Sequence, residues 1–561
     1  MIKKLEDQLR EKVWKAIEII EKEKFFIHSE PINIQISSEK NYSLPMVSTL
    51  VVLNALVPRG TMILYGGYGG GKTTLVKLLG RMLAGLSIRD LEASIIRAHP
   101  QLTEEKMIGR LDVGKLLKEG MENIVWRNFI QSFWKIIDEI NRLSPSAQDV
   151  IFSILSEGIA KYFDGIYETK SFVLYATINP RDVGTYPLGL PFLDRFGIAV
   201  PISSPSFDEI SDLAETQDEK LHEYDDIRVP AILSVEELKI IWNLASRVPL
   251  TEEARLFISA LAREFSLCAR TKKEIGAFLQ LAETICRGCH FNTENAICNK
   301  VFAPISVRAT KDIARYSRAL SWLLGLDHVP LGIVVSLSPY IIWHRISLSP
   351  KFIETFYGNA FYATKHLVDT ALRSFIRRLP LYRGFMDLEN GVGEITILNV
   401  LRESSPSDLI IAMDLYPNAE VISKPEYQSL VRELKAAFSK KNLDKVKSIM
   451  KKAKESLPAN VYGRFMRVFE RFLKQNSEIY EITFEKWHNK LSIIKQILTN
   501  SKEVLDRTIS QARLEKISLD MGEIVIHTTG MLPTAPVYIE IYGLGEAEKV
   551  KQKIAEIFGK K

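Results

Sequence analysis

The sequence predicts an α/β protein: a parallel sheet with flanking helices, then a helical lid, a helical C-terminal arm and a small α+β tail. Three observations carry this. "TMILYGG" (Thr61 to Gly67) is a short apolar run ending in glycines, the mark of a buried strand feeding a turn. "SFWKIIDEIN" and "SFVLYATINP" repeat the pattern, apolar and then abruptly polar, with helical spacing between them. From about Pro205 to Ile346 the apolar residues recur at i, i+3, i+4, as in "VEELKIIWNLA" and "EEARLFISALAREF".

In chain order, residues 1–45 read as an N-terminal helical segment followed by a turn-rich stretch. Residues 46–204 are the α/β core, opening on "STLVVLNALV", a helix or a strand by its pattern. "KTTLVKLLGRMLAGL" is a helix. Residues 205–348 form the helical lid, and 349–425 a mixed connecting region around the glycine-broken "LENGVGEITIL". Residues 426–515 are a long lysine-rich helical arm with a break at Pro458. Residues 516–561 read strand, strand, helix and are expected to pack with the arm. There is no internal repeat.

At 561 residues the chain has room for three or four domains. Hydrophobic residues make up 46% and charged residues 25%, ordinary globular usage that excludes wholesale disorder. A net charge of +6 is a weak bias at this length, so nucleic acid is neither indicated nor excluded as a partner. The N-terminus lacks a signal-peptide pattern. The most apolar stretch, Val329 to Trp343, is too short to span a bilayer and holds two prolines. The expectation is a cytoplasmic protein without a membrane span.

The chemistry concentrates in four places. Gly66 to Thr73 satisfies G-x-x-x-x-G-K-[ST]. Gly66, Gly69, Gly70 and Gly71 let backbone N–H groups wrap a phosphate, Lys72 offers charge to the β- and γ-phosphates, and the Thr73 hydroxyl suits Mg²⁺. Thr74 follows in the helix whose positive end faces the anion. "FWKIIDEIN" delivers Asp138 and Glu139 at a strand's C-terminal end, where ligands of such sheets bind. Asp138 is expected to hold Mg²⁺ through water, and Glu139 to polarise an attacking water. Asn179 closes the next buried strand, 40 residues after Glu139, with an amide suited to orienting that water. Arg195 in "GLPFLDRFGIAV" suits charge stabilisation in phosphoryl transfer. ATP with Mg²⁺ is the expected ligand.

Together these segments resemble the MoxR family of AAA+ ATPases over about residues 45–348. "IIDEINRLSPSAQDVIFSILSEG" resembles that family's acidic-pair segment, and "ATINPRDVGTYPLGLPFLDRF" its Asn-Pro to Leu-Asp-Arg-Phe signature. "ISVRATKDIARYSRALSWLLGLDHV" and "HRISL" resemble its lid. The resemblance implies a P-loop AAA+ core and a homo-hexameric ring with ATP at subunit interfaces. It implies Arg195 acting in trans and Arg308 as a second sensor. It implies two hairpins, around 108–126 and 158–170, facing a pore, and a chaperone-like role on a protein client, often with a von Willebrand factor A partner. Tyr162, Phe163 and Tyr167 are then either pore-facing aromatics or cross-strand packing. Tyr68 stands where relatives usually have proline, and Gly189-Leu190 where they have proline-glutamate.

Two features fall outside the resemblance. All four cysteines, Cys268, Cys286, Cys289 and Cys298, lie within 31 residues. A structural Zn²⁺ site, a disulfide and ordinary buried thiols are all compatible with that crowding. The run from Lys435 to Lys474 interleaves many cations with Phe465, Phe469 and Phe472, which fits either phosphate contact or a solvated helix with an aromatic core stripe. Three functions are therefore weighed: an ATP-driven remodeller of protein complexes, a nucleic-acid-translocating motor on the same core, and a nucleotide-gated scaffold. The first hairpin sets Lys115 and Lys118 against Asp112, Glu119 and Glu122, which disfavours the motor. The intact Glu139 and Arg195 disfavour the scaffold.

Overall fold

The computed structural model describes residues 2–22, 31–36, 40–67, 71–120, 122–169, 171–179, 184–203, 207, 210–211, 214, 229–265, 296–389, 391, 422–475, 478–497, 514–519, 522–528 and 536–558. It divides into two compact units, residues 1–274 with 293–375, and residues 275–292 with 376–561.

In the first unit a helix, Ile2–Lys22, is tied to the lid: Arg10 Nε donates to the Trp322 carbonyl at 2.8 Å, and Lys12 pairs with Glu237 at 2.5 Å. The turn-rich stretch that follows contains a hairpin of β1 (Pro31–Gln35) and β2 (Asn41–Pro45). "STLVVLNA" is helical within Met46–Ala55, and all ten residues of that helix are buried. An element covered on every side has no polar face, so neither period shows in its sequence.

The strands continue as β3 (Thr61–Gly66), β4 (Ile95–Arg97), β5 (Gly109–Leu111), β6 (Ile124–Trp126), β7 (Trp134–Asp138), β8 (Ile159–Tyr162), β9 (Gly165–Glu168), β10 (Val173–Ile178) and β11 (Ile198–Ile202). Five of them form a parallel sheet in the order β11-β3-β10-β7-β4. β10 is buried at all six positions, and β3 and β7 at their first four. Strands covered on both faces read as unbroken apolar runs, the signal the sequence carries here. Lys135 is the exception inside β7. Fully buried, it donates to the Phe129, Ile130 and Ser132 carbonyls, the last two at 2.8 Å.

Both expected hairpins are present. β5 and β6 pair antiparallel around the helix Val113–Glu119, and β8 pairs with β9. Trp126 and Tyr167 lie 5.4 Å apart between ring centroids. Tyr162 and Tyr167 pack on the core, whereas Phe163, at the turn with φ 47°, is exposed. The lid contributes the helices Val235–Arg247, Glu252–Glu264, Val307–Leu323 and Leu331–Ile342, together with β12 (Val301–Ala303) paired with β13 (Ser347–Leu348). The apolar stretch around Val329 to Trp343 becomes the 12-residue helix Leu331–Ile342 with Pro339 inside it. No helix among the described residues is long and apolar enough to cross a membrane.

The second unit differs from the expected long arm and two-stranded tail. Its helices Pro425–Ser439, Leu443–Ser456 and Ala459–Gln475 bury Phe465 and Phe469, with Phe472 packed against them, so the aromatic stripe is core. The arm then turns into β14 (Glu478–Thr483), inside the stretch expected to be helical. β14 joins β15 (Leu514–Leu519), β16 (Gly522–Thr528) and β17 (Pro536–Gly543) in an antiparallel sheet of order β14-β17-β16-β15, closed by the helix Glu546–Phe558. "EIYEIT" shows no period-two alternation, so its pattern does not set this strand apart from the surrounding lysine-rich run.

Candidate nucleotide site and arginine edge

β3, β10 and β7 lie side by side, and their C-terminal ends bring together the phosphate loop, Asn179 and the acidic pair. Gly66 has no room for a side chain: a Cβ there meets Ile202 at 2.8 Å. Gly71 sits at φ 66°, a left-handed conformation open to glycine, immediately before the helix Lys72–Ala84. Gly69, Gly70 and Tyr68 lie outside the described residues. Thr74 is half-buried in the helix's first turn.

The polar side chains answer one another. Lys72 is buried, and its Nζ donates to the Gly66 carbonyl at 3.0 Å, the Gly67 carbonyl at 2.5 Å and Asn179 Oδ1 at 2.8 Å. Burial lowers the pKa of its ammonium, and the charges of Asp138 and Glu139 oppose that shift. The Thr73 hydroxyl donates to Asp138 Oδ1 at 2.5 Å. Asn179 Nδ2 donates to Glu139 Oε1 at 2.6 Å, and Arg142 Nε pairs with Glu139 Oε2 at 2.7 Å. Glu139 itself stands at φ 54°, ψ 48°. For a residue with a Cβ that conformation costs about 1–2 kcal/mol, a strain that is held where surrounding contacts over-determine it.

Thr177 was not singled out in the sequence, yet it joins the acidic pair. Its hydroxyl donates to Asp138 Oδ1 at 2.7 Å and accepts from the Glu139 N–H at 2.8 Å. It lies two residues before Asn179, hence on the same face of β10, in an otherwise apolar strand; that spacing was the available signal. Asn141 and Arg142, just past the acidic pair, carry no such spacing signal. Asn141 Nδ2 donates to the Asn179 carbonyl at 3.2 Å.

These residues fit a magnesium nucleotide. A buried ammonium resting on two loop carbonyls at a helix N-terminus suits phosphate oxygens. Thr73 and Asp138 supply the hard oxygen donors Mg²⁺ takes, and the ion would neutralise phosphate charge there.

Among the described residues, Arg195 and Arg308 make no hydrogen bond or ion pair with this cluster. Arg195 Nε donates to Ser156 Oγ at 3.0 Å, Nη1 donates to the Pro191 carbonyl at 2.6 Å, and the guanidinium lies 3.8 Å from the Phe152 ring centroid. Burial lowers its pKa, as does the charge of Arg308, with Asp194 opposing. Arg308 lies two residues past the Ser306 cap of the helix Val307–Leu323 and pairs with Asp194 at 2.8 Å. The two arginines thus share one edge through Asp194, a residue the sequence reading passed over.

Cys298 lies in the turn Ile297–Asn299, while Cys268, Cys286 and Cys289 fall outside the described residues. Among the described residues no group of three His, Cys, Asp or Glu side chains is placed to hold a metal ion.

The AAA domain (dynein-related subfamily) family matches residues 61–196, from the first residue of β3 to just past Arg195. The protein MoxR of Paracoccus denitrificans is 25% identical over 316 residues, 54% of this chain and 84% of that one. The uncharacterized protein YeaC of Bacillus subtilis is 31% identical over 176 residues, 31% of this chain and 52% of its own length. A Methanocaldococcus jannaschii homolog of the magnesium-chelatase subunit ChlI is 25% identical over 187 residues, 27% of this chain and 50% of that one. A solved structure of a candidate ATPase from Cytophaga hutchinsonii shares 20% identity and a TM-score of 0.48, covering 66% of this chain and 96% of that one. A phosphate loop, an acidic pair and an asparagine on neighbouring ends of a five-stranded parallel sheet, inside that domain match, define an AAA+ ATPase core. Within that class the chain is MoxR-like.

Proposed function

We propose that this protein hydrolyses ATP at interfaces of an oligomeric ring, a homo-hexamer by family likeness, to remodel or mature a protein complex. The observation that carries the hydrolytic reading is Glu139. Its carboxylate is fixed by Asn179 and Arg142 next to the Thr73–Asp138 pair. In this reading Lys72 neutralises the β- and γ-phosphates. Glu139 takes a proton from the attacking water, which the Asn179 amide orients. Arg195 and Arg308, turned to a shared edge, serve the site of the neighbouring subunit, where a guanidinium stabilises transition-state charge. The exposed Phe163 and Ile166 at the tip of the β8–β9 hairpin offer apolar contact to a protein client.

The test is Glu139→Gln, assayed for turnover and nucleotide retention. Turnover is expected to fall at least about 100-fold, the scale of a lost general base, while ATP stays bound and holds the assembly together. Undiminished turnover would remove Glu139 from the mechanism.

A further inference from the structure

Resting on the reading that Arg195 acts on a neighbour's nucleotide, we propose that Arg345 is the positioning residue of that arginine and the reserve counter-ion of Asp194. Arg345 has a fully buried side chain, and its Nε donates to the Phe196 carbonyl at 2.9 Å. Nη2 donates to the same carbonyl and pairs with Asp312 Oδ2 at 2.7 Å. Phe196 is the residue after Arg195, so the grip is on the arginine's own loop. The two residues before Arg345 join in. His344 Nε2 donates to the Phe196 carbonyl at 2.8 Å, and Trp343 Nε1 donates to the Ala199 carbonyl at 2.8 Å. On the other side Thr61 Oγ1 donates to the Arg195 carbonyl at 2.9 Å and accepts from the Gly197 N–H at 2.8 Å. The loop is held between the start of β3 and the segment 343–345.

The second part of the role rests on charge. Asp194 takes a hydrogen bond from Ser306 Oγ at 2.5 Å and pairs with Arg308 at 2.8 Å. Asp312 pairs with both Arg345 and Arg315 at 2.7 Å. Two carboxylates thus face three guanidiniums, and Arg308 is the most exposed of the three, with 42% of its side chain accessible. Arg345 Nη1 is buried, has no hydrogen-bond partner, and lies 4.0 Å from Asp194 Oδ1. A buried donor left unmade is costly. When Arg308 leaves Asp194 for a phosphate, Arg345 closes that gap and keeps the carboxylate compensated. Arg308 therefore departs without stranding a half-buried charge.

The test compares Arg345→Met and Arg345→Lys in steady-state turnover, in nucleotide affinity measured with a fluorescent ATP analogue, and in assemblies mixed with Glu139→Gln subunits. Arg345→Met is expected to lower kcat about tenfold, a misplacement effect, with KM and analogue affinity within about twofold of the parent. Arg345→Lys is expected to fall between, since it keeps the charge and one donor line. Mixing either with Glu139→Gln, which keeps its own arginine edge, should restore turnover at the Arg345-variant subunits. A folded Arg345→Met with parental kcat overturns the proposal. If Arg345→Met does not fold, parental kcat in Arg345→Lys overturns it instead. So does a loss that mixing fails to restore when Arg195→Ala is restored under the same conditions. If Arg195→Ala is not restored either, the reading of action between subunits has failed first.

Discussion

The nucleotide cluster and the arginine edge are built in opposite ways. In the cluster, Lys72, Thr73, Asp138, Glu139, Thr177 and Asn179 answer one another within one group of neighbouring strand ends. At the edge, cations outnumber the carboxylates beside them, and Arg195 rests on a hydroxyl, a carbonyl and a ring instead of an acid. A closed set of polar groups holds a geometry. A surplus of charge at an exposed rim is a geometry waiting for an anion. The difference separates what one chain completes from what it offers.

The sharpest way to break this comparison is Arg195→Ala. On the proposed reading turnover is expected to drop about 1,000-fold, the scale of a lost arginine finger, while the ATP-analogue affinity of the same chain is kept. A matching loss of affinity would place Arg195 in its own chain's cluster. Thr177→Val probes the closed side. It preserves shape but deprives Asp138 of a donor and the Glu139 N–H of its Thr177 acceptor, so kcat should fall about tenfold, equivalent to one such hydrogen bond. No change in a Mg²⁺ titration or in kcat would show that the cluster does not depend on it. The smallest effect concerns the edge's support. Burial, with the Arg345 charge, lowers His344 from 6.5 to about 3. Below pH 6.5 the unfolded chain takes up a proton there that the folded chain refuses, so stability falls as pH drops, by up to about 1.4 kcal/mol per unit from this group. Unfolding curves of His344→Gln should lose that component between pH 6.5 and 5; an unchanged difference across that window would show that His344 is protonated in the fold.

The closed side was the more legible. Its residues sit at ends of apolar runs, and a parallel sheet makes such runs because both of its faces are covered. Lys72, Thr73, Asp138, Glu139 and Asn179 all come together as their positions predict. The edge was legible only as separate arginines. Asp194 and Arg308 are 114 residues apart, and no periodicity records such a pair. The helix Met46–Ala55 stayed ambiguous because it is buried all round, and β14 because its six residues carry no period-two pattern and lie in a long charged run. Tyr162 and Tyr167 pack against the core, and Phe163 is exposed at the turn.

Thr61 adds a consequence of another kind. Its hydroxyl fastens the loop of Arg195, and the six-residue strand it begins ends at Gly66, the first glycine of the phosphate loop. At about 3.3 Å per residue the two anchor points are roughly 17 Å apart along one strand. Heredity therefore cannot adjust them separately. A substitution that tilts or shifts this strand alters the phosphate loop and the loop of Arg195 at once, and a lineage that tunes one must re-tune the other.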